Sequence, residues 1–197
     1  MAEQGYAIEQ DLKEAEAMAK SLVPYVHEEP LYGQAGGGGF FSKLPSLTVG
    51  ALLMRLRRLE AQRDTMTPAQ QSRLDAVQTR HSEVLKEWRM HYEKKMLREA
   101  NSRLDAMGQF FEECNQNPRS CAGNYGVEAS RRTIVQELVL AMQQMGIADD
   151  DLQTKLRAVD GKLRRYVQPS DFVWDASLQP YYPQRDFWWL YTRPQAQ

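Results

Sequence analysis

Three histidines, His27, His81 and His91, and two cysteines, Cys114 and Cys121, are the side chains of this 197-residue chain best suited to holding a metal or moving a proton. Three positions before the histidines stand Pro24, Gln78 and Trp88, so the Glu-x-x-His pair that a di-iron bundle needs twice is absent. His27-Glu28-Glu29-Pro30-Leu31 also lacks the second histidine of a zinc-protease motif. Glu87 and His91, four apart, could supply two metal ligands if another helix brought more; the plainer reading is a solvated helix flank. His81 falls on an apolar stripe, where a histidine is usually a core residue satisfied by one hydrogen bond. A ligand contact, haem-like or otherwise, is the sharper alternative.

Cys114 and Cys121 lie seven apart across an expected turn, which permits a redox pair; in a reducing compartment they would be free thiols. The run Gly33-Gln-Ala-Gly36-Gly-Gly-Gly39 lacks the Gly-Lys-Ser/Thr ending of a phosphate loop, and no Gly-x-Ser-x-Gly elbow occurs. No catalytic motif is found. No cofactor and no metal are implied. Two basic clusters, Arg55 to Arg63 and Lys162 to Tyr166, could meet phosphates, but such residues ordinarily keep leucine-backed helices soluble, so nucleic acid is not the expected partner. The first 31 residues hold seven acids against Lys13 and Lys20, and this acidic arm can neutralise a basic cluster within the chain or between copies.

The elements that carry these residues read as helices. Ile8, Leu12, Ala15, Ala19, Leu22 and Val26 form one apolar face of a first helix from about Glu3 to Pro24. The glycine run is a linker. Val49, Leu52, Leu53, Leu56 and Leu59 mark a second helix that stops near Thr65. Thr67-Pro68-Ala69-Gln70 combines a threonine cap, a proline at the first helical position and a glutamine completing a capping box.

From there Leu74, Val77, His81, Leu85, Trp88, Tyr92, Met96, Ala100, Leu104, Met107 and Phe111 recur about every 3.7 residues. No proline or early glycine breaks the pattern before about Asn115, so the reading is one very long third helix, a rod of roughly 70 Å. A sphere of this chain length is only about 42 Å across, which favours pairing of the rod with a second copy. Asn115 to Pro118 and Gly123 to Gly126 read as a turn. Ile134, Val135, Leu138, Val139, Met142 and Met145 then give the widest apolar face, on a fourth helix ending at Gly146. A fifth opens at Asp149-Asp150-Asp151, acidic where the helix dipole is positive. After Pro169, Phe172, Trp174, Tyr181, Tyr182, Phe187, Trp188, Trp189 and Tyr191 follow no helical period, and side chains of this bulk must lie on something apolar.

Balanced charge, 25 basic against 26 acidic residues, excludes a polybasic protein, and no apolar run approaches the roughly 18 residues of a bilayer span. Without a leader-like start, the expected location is cytoplasmic. The fold class expected is all-α: an antiparallel bundle of about five helices with one very long helix and an extended aromatic C-terminal segment. The segmentation expected is an acidic helix (1–31), a glycine-rich linker (32–45), a bundle core (46–168) and an aromatic tail packed on it (169–197). The leading function is a non-catalytic interaction or assembly protein, a homodimer paired along the third helix. Trp88, Tyr92, Met96, Trp188, Trp189 and Tyr191 would give the contact, and the tail is also a docking arm for another protein. The alternatives are a bundle holding a small molecule or pigment between the fourth helix and the tail, with His81 as a polar contact, and a nucleic-acid-binding accessory.

Overall fold

The computed structural model describes residues 6–36, 44–116 and 118–195, without the side chains of 115–122. It is all-α, with a long helix and an aromatic C-terminal cluster, and it divides into two compact units, 1–99 and 100–197. The division falls inside a helix.

In the first unit, α1 (Ile8–Lys20) and α2 (Leu22–His27) replace the single helix expected. Ser21 interrupts at φ −94°, ψ 2°, and its hydroxyl accepts from the Gly36 amide at 3.1 Å. Pro24 is tolerated because it falls in the first turn of α2, where its missing N–H has no helical partner to serve. Gly33 and Leu47 exchange hydrogen bonds of 2.9 and 2.8 Å and so close the glycine run at its base. Gly33 must be glycine, since a Cβ there would stand 2.6 Å from Cδ2 of Tyr25. Gly37 to Gly39 lie outside the described residues.

The second helix, α3 (Val49–Ala61), is capped by Thr48, whose hydroxyl accepts from the Ala51 amide, and a short 3-10 turn (Arg63–Thr65) follows it. α4 (Pro68–Glu87) begins on the expected capping box of Thr67 and Gln70. α1 packs on both α3 and α4, and Leu12, Ala15, Met18, Leu52, Leu59, Leu74 and Val77 supply the buried apolar side chains.

The long stretch is not continuous. Trp88 stands at φ −117°, ψ 35°, ending α4 and preceding α5 (Arg89–Gln116). The residue serves both neighbours: its amide bonds to the Val84 carbonyl at 2.8 Å, and its own carbonyl accepts from Tyr92 at 3.0 Å. Eleven residues of straight helix separate His81 and Tyr92 by about 16.5 Å, too far for their side chains to meet. The bend lets Nε2 of His81 approach the Tyr92 hydroxyl to 2.6 Å. The uninterrupted rod from Pro68 to Cys114 is therefore corrected to two helices, and the length argument for pairing falls with it.

In the second unit, the rest of α5 is followed by α6 (Pro118–Gln144), which runs through Gly123 and Gly126 where a turn was expected. A Cβ would meet nothing within 4 Å at either glycine, so they cost α6 only intrinsic propensity, about 1 kcal/mol each. Gly146, at φ 73°, closes α6: its amide bonds to Gln143 and that of Ile147 to Met142, the paired bonds of a Schellman cap. α7 (Asp150–Tyr166) is capped by Asp149, which accepts from the Leu152 amide at 2.7 Å.

The tail contains regular structure that the sequence pattern did not announce. β1 (Val167–Pro169) pairs antiparallel with β2 (Thr192–Pro194), and two 3-10 turns (Ala176–Tyr181 and Trp188–Tyr191) lie between them. Its aromatic cluster packs on α6. Trp189 is 1% exposed; its indole donates to the Thr133 hydroxyl at 2.9 Å and its carbonyl accepts from the Tyr125 hydroxyl at 2.6 Å. The Arg132 guanidinium lies 3.9 Å over the same ring and binds the Asp160 carboxylate through two nitrogens, at 2.7 and 3.0 Å. One arginine thus ties α6, α7 and the tail together. Trp189→Ala is expected to cost about 3–5 kcal/mol, measured by urea unfolding followed by circular dichroism. A loss below about 1 kcal/mol would show that the tail is not held as described.

Candidate functional site

The first unit gathers its histidines near the α4–α5 bend. His27, at the end of α2, packs edge-on against Trp88, with ring centres 4.3 Å apart, and lies 4.7 Å from His91. Glu87 and His91 no longer share one helix, since Trp88 separates them; the histidine's ring neighbours are His27 and Trp88. Among the described residues, no group of three His, Cys, Asp or Glu is placed to hold a metal ion.

Behind this surface the polar groups engage one another. Lys95, 3% exposed, donates to the Pro30 carbonyl at 2.7 Å and sits 4.2 Å over the Tyr25 ring, whose hydroxyl donates to Leu31 at 2.9 Å. Burial holds the Lys95 ammonium below its ordinary pKa. Glu99, fully buried, accepts from the Gly50 amide at 2.9 Å, in the first turn of α3, where the helix dipole favours an anion.

The acidic arm neutralises the first basic cluster within the chain. Arg55 binds Glu14 at 2.7 Å through Nε and lies 3.8 Å from Asp11; Arg58 is also 3.8 Å from Asp11. Arg73 adds Glu9 at 3.0 Å and Glu16 at 2.8 Å, pinning α4 to α1. Hydrogen bonds from Gln70 and Arg73 hold the Glu9 carboxyl below its usual range and one from Arg73 does so for Glu16, whereas burial dominates at Asp11 and raises it. In the second cluster, Lys162 pairs with Glu112 and Arg164 lies 3.8 Å over the Trp188 ring.

The six residues expected at an interface divide by burial. Tyr92, Met96 and Trp189 are 1%, 0% and 1% exposed and belong to the cores of their own units. Trp88, Trp188 and Tyr191 keep partial exposure, and the Tyr191 hydroxyl donates to the Tyr182 carbonyl at 2.8 Å. His81 is engaged through Nε2 with the Tyr92 hydroxyl at 2.6 Å. Cys114 is buried and disulfide-bonded, and the side chain of Cys121 lies outside the described residues.

The sequence reading passed over Met90, which is 81% exposed beside the bend, and Glu128, Arg132 and Thr133, which are buried on α6. Met90 lies off the apolar stripe, and that was its only signal. The α6 trio could be noticed as polar residues within a strongly apolar helix, but Arg132 and Thr133 meet partners distant in sequence, Asp160 and Trp189. Two surface cavities of comparable size accompany these features. One, of about 410 Å³, lies in the first unit by Pro24, Tyr25 and Tyr32; the other, of about 430 Å³, lies in the second unit between α5 and α6, by Phe110 and Glu128.

No protein-family model, curated protein or solved structure matches this chain.

Burial pulls the His81 imidazole down from 6.5 to about 4, so the folded protein keeps it neutral where the unfolded chain would take a proton. This contribution is complete above pH 6.5 and is lost as pH falls toward 4, by up to about 3 kcal/mol in total. Between pH 7 and 4.5 the wild type should lose about 2–3 kcal/mol more unfolding free energy than His81→Gln, which cannot titrate. Parallel losses in urea titrations of the two proteins would contradict the buried neutral histidine.

Proposed function

We propose that this chain is a non-catalytic helical interaction protein that associates with a second copy of itself through the α4–α5 bend. One observation carries the reading: chemically capable side chains are spent inside each unit, while a large apolar side chain, Met90, stands 81% exposed at the bend. Arg55, Arg58 and Arg73 are matched by α1 carboxylates, Arg132 by Asp160, and His81 by Tyr92.

Around Met90, residues 83–94 carry Glu83, Glu87 and Glu93 against Lys86, Arg89 and Lys94, so a second copy meets no net repulsion there. Part-buried Trp88 flanks it, and a methionine-and-tryptophan anchor within a charged rim is the composition of a small protein interface. No described helix is long and apolar enough to cross a membrane, which suits association in water. The disulfide at Cys114 fits an oxidising compartment better than the reducing cytoplasm first expected.

Light scattering coupled to size exclusion tests the proposal. The wild type should run as a dimer, and Met90→Glu should weaken dimerisation at least about tenfold while leaving the melting temperature unchanged. A wild type that stays monomeric up to about 100 µM, or a Met90→Glu protein that pairs equally well, would overturn it.

A further inference from the structure

We propose that His27 and His91 form a chelating pair for a divalent transition-metal ion of the class that imidazole favours, such as zinc. The site lies within the first unit and is complete in one chain, so it does not rest on pairing at the α4–α5 bend.

The two rings come from different elements. His27 ends α2 and His91 stands in the first turn of α5, and their ring centres lie 4.7 Å apart at an interplanar angle of 55°. Two imidazoles bound to one ion through bonds of about 2.0–2.1 Å, at roughly 90–110° to each other, hold their ring centres about 4.5–5.2 Å apart. The observed separation falls inside that window, so capture of an ion needs at most rotation of the two rings. Both residues are exposed, which gives an aqueous ion direct access to them.

The pair is the exception among the chemically capable side chains of this chain. Among the described residues, no hydrogen bond or ion pair engages either imidazole; their ring contacts are with each other and with Trp88, 4.3 Å from His27 and 6.1 Å from His91. When neutral, each ring therefore keeps a nitrogen lone pair to offer. The backbone beneath them is held in place: Lys95 and Arg98 on α5 donate to the Pro30 and Glu29 carbonyls at 2.7 and 3.1 Å, clamping the segment after α2 to α5. Ligands positioned in advance lose less freedom when the ion arrives. Trp88 separates Glu87 from His91, and α2 brings His27 in its stead, so the second helix that a metal site here requires is present. Two protein ligands leave the other coordination positions to water, which makes binding reversible and weaker than at a four-ligand structural site.

Zinc chloride is the probe and magnesium chloride the control, followed on the full chain by calorimetry and thermal melting. Zinc should bind saturably, one ion to each chain, and raise the melting temperature, whereas magnesium, which prefers oxygen ligands, should do neither. His27→Ala and His91→Ala should each melt like the wild type without zinc and weaken zinc binding at least about tenfold, the loss that even an outer-shell partner causes. In the unaltered protein, zinc should protect both histidines from diethyl pyrocarbonate, read by peptide mass spectrometry, a measurement that stands even where a variant folds poorly. A chain that proves monomeric should bind zinc equally well, so this test and the pairing test fail separately. No saturable zinc binding up to about 1 mM, undiminished binding by a folded His27→Ala or His91→Ala protein, or unprotected histidines would overturn the proposal.

Discussion

The hydrogen bond between His81 and Tyr92 sets the terms for the first unit. It joins side chains eleven residues apart, which a straight helix holds out of each other's reach, so it exists only because the chain bends at Trp88. Bending places the start of α5 where Lys95 can cap the Pro30 carbonyl and Glu99 can accept from the first turn of α3. The apolar stripe that suggested an external partner is consumed internally. Of its members, Leu74, Val77, Tyr92 and Met96 are buried in the first unit, and Ala100, Leu104, Met107 and Phe111 in the second.

Much of the fold was legible because its signals are local. The Thr67–Gln70 capping box, the acidic opening of α7 at Asp149 and the Gly146 terminus each depend on signals within a few residues, and each stands where the sequence placed it. The bend at Trp88 was not legible, since neither proline nor glycine marks it and the contact that accompanies it joins side chains across the break. The start of α6 was misread for a different reason. Pro118 is at home at a first helical position, but Gly123 and Gly126 outweighed it in a reading by propensity. In the folded chain the two glycines face open space, and packing further along α6 readily offsets their deficit. Strands of three residues that contain prolines, as in β1 and β2, leave no alternating pattern to detect.

The candidate sites were less legible because burial of a polar residue depends on its partner. Arg132 meets Asp160 from α7, and Thr133 meets Trp189 from the tail, 28 and 56 residues away. A hydrophobic pattern registers such residues as solvent-facing, whereas here they fasten the aromatic tail to α6. The separation of chemistry from architecture was correspondingly imperfect: Trp189, one of the six residues expected at an interface, is buried within its own unit.

Two buried carboxylates show where the chain balances its electrostatics and where it does not. Burial raises both Asp11 and Glu128. Asp11 stands 3.8 Å from two guanidiniums and accepts a 2.9 Å bond from the Tyr6 hydroxyl, so both of its oxygens have compensating neighbours. Glu128 has Arg131 at one oxygen and, among the described residues, no hydrogen-bond partner at the other. In the first case the charge joins α1 to α3, and its burial cost is offset by that work. In the second the ion pair links residues one turn apart on the same helix, joins no elements, and contributes little to the fold.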